Sequence, residues 1–340
     1  MEKALTRRTG IKVSDTPHPR TSSYGRILGV GSYRPRAVID NAELCRTLDS
    51  TPEWIETRSG IRERRFAAPD ETLEHMAVAA SGKALAQAGI GPEDLDFVLI
   101  ATMTNLLHAP PLSARIARSL GADRAAALDT SAACSGFCHT LAIASDMVSA
   151  GSARHVLVIG ADRMTDIVQR TDRGSAFLFA DGAGAVVVGP SDEPGFGPVV
   201  RRTDSRYVDS VWMTAPWAEG GEHPWLRIDG RRIFRWAMDE VAPAAEEMLR
   251  VAGVAPDQLG TFVPHQANVR MIELMADRLG LGPETVVARD VVHTGNTSAA
   301  SVPLALDAVL AEGRVSRGDT ALLIGFGAGL SFAGQVVVLP

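Results

Sequence analysis

Apolar and polar positions along this chain change period in a repeating way. Continuous apolar runs at Arg26 to Ser32 (RILGVGS), Leu95 to Thr102 (LDFVLIAT) and His155 to Ala161 (HVLVIGA) predict buried strands. Between them, Leu73 to Ala88 and Leu112 to Leu120 carry the three-to-four spacing of amphipathic helices. Ser135 to Ser149 is a further helical stretch, with Phe137, Leu141, Ile143, Ala144, Met147 and Val148 available for a buried face. Phe177 to Gly189 predicts a turn between two strands, and Ile233 to Val251 a long helix. Residues 199–230 have weak periodicity and hold Trp212, Met213, Trp217 and Trp225, the composition of a lid or pocket wall.

After Gly253 the rhythm returns. Glu93 to Ala101 lines up with Asp257 to His265, and each is followed by a helix ending near Leu-Gly. Cys134 precedes Gly151, and Asn296 precedes Gly313, by the same interval across an Ala-rich helix. HVLVIGA corresponds to Thr320 to Gly325 (TALLIG). A unit repeated roughly 163 residues apart predicts two similar α/β halves with mixed sheets sharing central helices. The expected division is a mobile tail at 1–23, a first half at 24–195 and a second at 196–340 that begins with the lid-like 199–230. Cys134, His265 and Asn296 then all fall at strand-to-helix turns, where open α/β sheets place their ligands.

Each of these three residues also has a dull explanation. A lone cysteine in an Ala-rich helix is usually a small buried hydrophobe, a histidine at a strand end is usually a satisfied polar group, and Asn after Gly marks a turn or cap. Together they suit a nucleophile and two hydrogen-bonding groups meeting in one pocket. A helix N-terminus at Cys134 is expected to favour the thiolate.

Composition narrows the class. The chain has 340 residues, 46% of them hydrophobic, and a net charge of -6, which gives no overall nucleic-acid footprint. Its three cysteines, Cys45, Cys134 and Cys138, make neither a disulfide framework nor a metal pattern, so a reducing cytoplasm is the expected compartment. Residues 1–23 carry Arg7, Arg8, Lys12 and Arg20 without an apolar core, unlike a signal peptide or membrane span. Gly29-x-Gly31 lacks the third glycine of a dinucleotide loop, and Asp181-Gly-Ala-Gly184 lacks the helix of a phosphate loop, so the latter glycines are expected in a tight turn. Trp54 stands among Arg58, Arg62, Arg64 and Arg65, either as a solvated charged face or as a grip for an aromatic base and phosphates.

With these residues in view, the chain resembles β-ketoacyl-acyl-carrier-protein synthase III of the thiolase superfamily, and among its members the priming ketosynthases of aromatic polyketide pathways. The resemblance covers roughly residues 24 to 340. It rests on Ala133-Cys134-x-Gly136-Phe137, His265-Gln-Ala-Asn268, Gly295-Asn296-Thr-Ser-Ala-Ala-Ser301 and Gly325-Phe-Gly-Ala-Gly329 taken together. It implies a duplicated α-β-α-β-α layered fold with two mixed sheets, and a decarboxylative condensation of an acyl-coenzyme A starter with malonyl-acyl-carrier protein. In that scheme Cys134 carries the acyl group, the N–H groups of Cys134 and Ala328 form an oxyanion hole, and His265 and Asn296 stabilise the enolate.

The same resemblance implies that Trp54, Arg58, Arg173 and Asn268 bind coenzyme A, which is a substrate, with no metal or cofactor required. It places Arg235 and Arg270 on a rim for the acidic carrier protein, and leaves Arg231, where the family often has Asn, unassigned. It implies a homodimer joined through the Leu99 to Asn105 edge and the loop after it, with no nucleic-acid or membrane partner. Pro110 stands where acetyl-selective members carry a Phe that the partner subunit receives as the end of its acyl pocket, so that pocket is expected to take a starter larger than acetyl, unless Trp212, Met213 or Trp217 refills it. The alternatives are an acyltransferase or cysteine hydrolase without condensation, and a non-catalytic partner subunit; the last characteristically loses the cysteine that this chain keeps.

Overall fold

Residues 24–107, 109–217 and 220–340 are described by the computed structural model, and the expected tail at 1–23 lies outside them. The first half is built from β1 (Tyr24–Tyr33), α1 (Pro52–Ser59), α2 (Leu73–Ala88), β2 (Phe97–Ala101), α3 (Leu112–Leu120), β3 (Ala126–Thr130), α4 (Gly136–Ser149), β4 (Val156–Arg163) and β5 (Asp181–Ser191). The second contains β6 (Val200–Thr203), α5 (Gly230–Trp236), α6 (Ala242–Ala252), β7 (Thr261–Pro264), α7 (Val269–Leu279), β8 (Val286–Val287), α8 (Ser301–Ala311), β9 (Thr320–Gly327) and β10 (Ser331–Val338).

The strand orders are β1-β5-β4-β2-β3 and β6-β10-β9-β7-β8, one topology used twice. In each sheet the three strands at one end run parallel and the two at the other end pair antiparallel. Side-chain alternation gives each sheet two apolar faces. On β9, Ala321 and Leu323 join the central cluster with α4 and α8, whereas Leu322, Ile324 and Phe326 face outwards towards α6 and α7. On β2, Leu99 faces the centre while Val98 and Ile100 pack under α2 and α3. Five layers result, α-β-α-β-α, with α4 and α8 buried between the sheets.

Five details differ from the sequence reading. First, Asp181-Gly-Ala-Gly184 lies inside β5, not in a turn. A Cβ at Gly184 would sit 2.7 Å from Pro303 Cβ, so glycine lets α8 lie against the strand. The Asp181 carboxylate accepts from Ala67 N, Thr165 N and Thr165 Oγ1, and burial lifts its pKa to about 6.

Second, the long helix spans Gly230 to Ala252 but contains a π turn at Ala237–Val241. Pro243 follows it; the proline has no N–H and crowds the preceding turn, which widens to accept it. Third, residues 199–230 are not lid or wall throughout: Val200–Thr203 is the edge strand β6, while the Val211–Met213/Leu226–Ile228 hairpin is the expected pocket wall.

Fourth, β2 is not an edge. It is paired on both sides, and the free edge of that sheet is β3, where Leu128 is 49% exposed. Fifth, the repeat register shifts at the helix starts. A one-turn 3-10 helix precedes both α4 (Ala133–Ser135) and α8 (Ser298–Ala300), so Cys134 matches Ala299, not Asn296. α4 has 14 residues and α8 has 11, so aligning their C-terminal glycines misplaces the N-termini by nearly one turn.

Candidate active site

Cys134 lies in the 3-10 turn that joins β3 to α4, one residue after Ala133, whose φ is +46°. The first N–H groups of such a turn have no acceptor inside it, so the Cys134 N–H is free to point at a ligand. β9 ends beside the same turn. A Cβ at Gly327 would fall 2.8 Å from Cys134 Cβ, so only glycine lets the Gly325–Gly329 segment pass this close. That passage brings Ala328 into the wall around the sulfur, and among the described residues its N–H donates to no protein acceptor.

His265 follows β7 directly, its backbone N–H donating to Ile324 O at 2.7 Å. Its ring is buried, packs edge-on against Phe326 with centroids 5.2 Å apart, and has Nδ1 2.7 Å from Ser301 Oγ. Ser301 Oγ also receives the Gln266 N–H at 3.3 Å. A Ser301 proton donated to Nδ1 leaves the ring proton on Nε2. Burial drives the His265 pKa down to about 3, so the imidazole is neutral.

Asn296 sits between a short helix (Val291–Thr294) and the second 3-10 turn. Its Oδ1 accepts the Ser298 N–H at 2.9 Å, which leaves the amide nitrogen as the group to be offered to a ligand. Its backbone is sewn to the other half through Asn296 N to Leu178 O and Ala180 N to Asn296 O.

Cys134, His265, Asn296 and Ala328 share one narrow cavity of about 100 Å³, otherwise walled by apolar groups that include Met103, Met164, Phe179, Val211 and Leu226. Cys134 is only partly covered, but its open surface faces this recess and not bulk solvent. Burial pushes the thiol up to about 12, against a lowering by Ser298, and the nearby Asp162 charge adds to the rise. The expected thiolate is therefore not the resting form. Burial of the sulfur is the largest influence on it, and it acts against the helix end.

A wider chamber of about 1060 Å³ opens outside the cavity. The two share Leu178, Ile228, Gly230, Asn268 and Met271, which form the neck. Asn268 has a structural duty as the cap of α7, its Oδ1 accepting Met271 N–H at 3.0 Å. Arg58, Arg173, Arg231, Arg235 and Arg270 line the chamber, against two carboxylates, Asp229 and Asp239. The mouth is thus basic on an acidic chain. Trp54, 36% exposed, lies on its wall with the Arg173 guanidinium 5.2 Å from its ring centroid and Phe177 edge-on at 5.2 Å.

Of the four arginines that follow Trp54 in the sequence up to Arg65, only Arg58 lines this chamber. Arg62 pairs with Glu56, Arg65 reaches Pro35 O, and Arg64 is buried against the carbonyls of Ile39 and Phe177. The residues considered for the acyl pocket separate. Alternation along Val211–Met213 turns Val211 into the inner cavity and Trp212 out to the chamber, while Met213 packs with the apolar cluster behind the wall. Pro110 and Trp217 are exposed and line neither space.

Sequence reasoning missed Asp162, Ser298 and Ser301 as site residues. Asp162 is fully buried on β4, and its carboxylate accepts from Thr102 Oγ1, Met103 N, Thr104 N, Thr104 Oγ1 and Ala299 N. Ser298 and Ser301 stand in the Asn296 motif itself, but nothing in a one-dimensional motif says that they face Cys134 and His265.

Among the described residues no cluster of three or more His, Cys, Asp or Glu side chains could hold a metal, and no helix is long and apolar enough to cross a membrane.

Comparison with known proteins adds to this geometry. Residues 128–205 match the family described as 3-oxoacyl-acyl-carrier-protein (ACP) synthase III, and 249–339 match its C-terminal counterpart. A beta-ketoacyl-acyl-carrier-protein synthase III of Streptomyces lividans is 55% identical over 322 residues, 93% of this chain and 95% of that protein. A mycobacterial beta-ketoacyl-acyl-carrier-protein synthase III of Mycobacterium marinum is 46% identical, with 94% and 96% covered. Among solved structures, the priming beta-ketosynthase of the R1128 polyketide biosynthetic pathway superimposes with a TM-score of 0.92 at 55% identity, covering 94% of this chain and 97% of that one.

Proposed function

The chain belongs to the 3-oxoacyl-acyl-carrier-protein synthase III family of condensing acyltransferases, and on that premise we propose that it condenses an acyl-coenzyme A starter with malonyl-acyl-carrier protein, releasing carbon dioxide. The observation that carries this reading is the meeting of Cys134, neutral His265, Asn296 and the Ala328 N–H in one cavity behind a basic, Trp-bearing mouth.

In the first step the Cys134 sulfur attacks the starter thioester. The Cys134 and Ala328 N–H groups hold the developing oxyanion, and coenzyme A leaves as its thiol. In the second, the malonyl thioester oxygen lies between His265 Nε2–H and the Asn296 amide. Two neutral donors stabilise an enolate without delivering a full proton to it, so the carbanion left by decarboxylation survives to attack the acyl-cysteine, expelling the Cys134 thiolate and leaving a 3-ketoacyl chain on the carrier. A hydrolase of the nucleophile-elbow type would ask for a carboxylate behind the histidine; the partner of His265 Nδ1 is the Ser301 hydroxyl.

Trp54, Arg58 and Arg173 would take the adenine and phosphates of coenzyme A, with Asn268 at the neck beside the pantetheine arm. Arg235 and Arg270 would receive the acidic carrier. Pro110, which lines neither space of its own chain, would be offered across a dimer to the partner subunit's acyl pocket; a small residue there supports a starter larger than acetyl, such as a propionyl, branched or medium acyl group. A homodimer would form through the β3 edge and the loop at 105–111. The protein would work in the cytoplasm, with coenzyme A as substrate and no metal.

Intact-protein mass spectrometry of wild type and Cys134→Ala with a panel of acyl-coenzyme A esters tests the scheme. The expected result is an adduct on wild type alone, strongest above acetyl, cleared by malonyl-carrier with carbon dioxide release. An adduct equally present in Cys134→Ala would overturn it, and one that clears in water alone would mean a hydrolase.

A further inference from the structure

The two strand-to-helix turns meet at the cavity, and the second turn places one more side chain on the nucleophile. Ser298 Oγ lies 3.6 Å from Cys134 Sγ, as the acceptor of the thiol's hydrogen bond. Ser298 is fully buried and has φ +53°, a conformation that only Ala133 shares among the described non-glycine residues. Since both turns have it, the backbone twist belongs to the turn and needs no further explanation; the hydroxyl does. The turn is held from two sides, by Ser298 N–H to Asn296 Oδ1 and by Ala299 N–H to Asp162 Oδ2 at 3.1 Å. Burial raises the pKa of Asp162, and the Ser298 hydroxyl acts against that rise. The groups that share the cavity with the sulfur or act on it are thus Asp162 from β4, His265 from the end of β7, Asn296 and Ser298, of which Asp162 and His265 are titratable.

We propose that Ser298 is a positioning residue for the nucleophile: its hydroxyl accepts the Cys134 thiol hydrogen bond in the resting enzyme and turns to donate to the sulfur when the thiolate forms. Ser298 takes up no proton; its hydroxyl only changes from acceptor to donor towards the sulfur. A carboxylate beside the sulfur opposes a second negative charge, and a reorienting hydroxyl lets one small group serve the sulfur in either protonation state. This rests on the assignment of Cys134 as the nucleophile.

The test is the pH profile of Cys134 alkylation by iodoacetamide, read by peptide mass in wild type and Ser298→Ala. Alanine already occupies the equivalent place in the first turn, as Ala133 at φ +46°, so the fold is expected to hold; thermal melting checks it. Ser298→Gly, which accepts positive φ freely, gives the same reading should alanine unfold the protein. Loss of a hydrogen bond to the charged form is expected to raise the apparent thiol pKa by about one unit, and so to slow alkylation about tenfold at any pH below it. Asp162→Asn is expected to shift the profile the opposite way. Superimposed profiles in folded Ser298→Ala would sink the proposal even though wild type forms the acyl adduct. Absence of that adduct in wild type would instead sink the assignment of Cys134.

Discussion

The two halves of the molecule use one turn for different purposes. Ala133 and Ser298 both have positive φ, both open a single 3-10 turn, and both lead into a buried central helix. The residue after the twist is Cys134 in the first half and Ala299 in the second. The strands beside the turns have diverged in the same spirit. Asp162 and Phe326 are each the seventh residue of an eight-residue strand, and each packs beside the end of the neighbouring parallel strand. In the first half this gives a Thr102–Asp162 hydrogen bond at 3.0 Å, and in the second a His265–Phe326 edge contact. A buried carboxylate thus anchors the half that supplies the sulfur, while an apolar ring keeps the histidine of the other half uncharged. Duplication provided two equivalent scaffolds, and the chemistry comes from their asymmetry.

The largest expected effect would break this division if it failed. His265→Ala is expected to leave the acyl adduct on Cys134 intact while lowering condensation by about 10²- to 10⁴-fold. Mass spectrometry of the adduct beside a malonyl-carrier condensation assay reads the two steps apart, and equal loss of both would show that the halves do not separate acylation from enolate chemistry.

Acid titration sharpens the same contrast. The pKa of His265 is depressed to about 3 in the fold, below an unfolded value near 6.5, so the unfolded chain binds more protons between those limits. Its contribution to stability is present above about pH 6.5 and is lost as pH falls towards 3. Denaturation of wild type and His265→Gln across pH 4 to 7 should show a shallower loss in the variant; parallel curves would contradict a buried neutral imidazole.

The smallest effect lies at the mouth. Trp54→Ala removes the ring under Arg173 and is expected to raise KM for acyl-coenzyme A by about 3- to 30-fold, the range of a partly desolvated cation–π and stacking contact. KM for malonyl-carrier should stay within about twofold, since an aromatic base belongs to the first substrate alone. A matched rise for both substrates would move Trp54 from the coenzyme A site to a shared wall.

Read in one dimension, the chain already carries the layered α/β class, the duplication, most of the helices and the grouping of Cys134, His265 and Asn296. These follow from hydrophobic period, turn chemistry and motif spacing, which act over a few residues and so survive without a fold. What depends on distant neighbours came from packing alone. Only packing shows that Gly184 serves an approaching helix, that β2 is interior, and that Arg64 is buried while Arg58 reaches the mouth. It also reverses the reading of the thiol. A local argument sees a helix end that favours the charge, whereas the fold closes an apolar recess over the sulfur and sets Asp162 beside it. Where water is excluded, a charge costs desolvation energy, and how far water is excluded is set by distant packing and not by the local sequence.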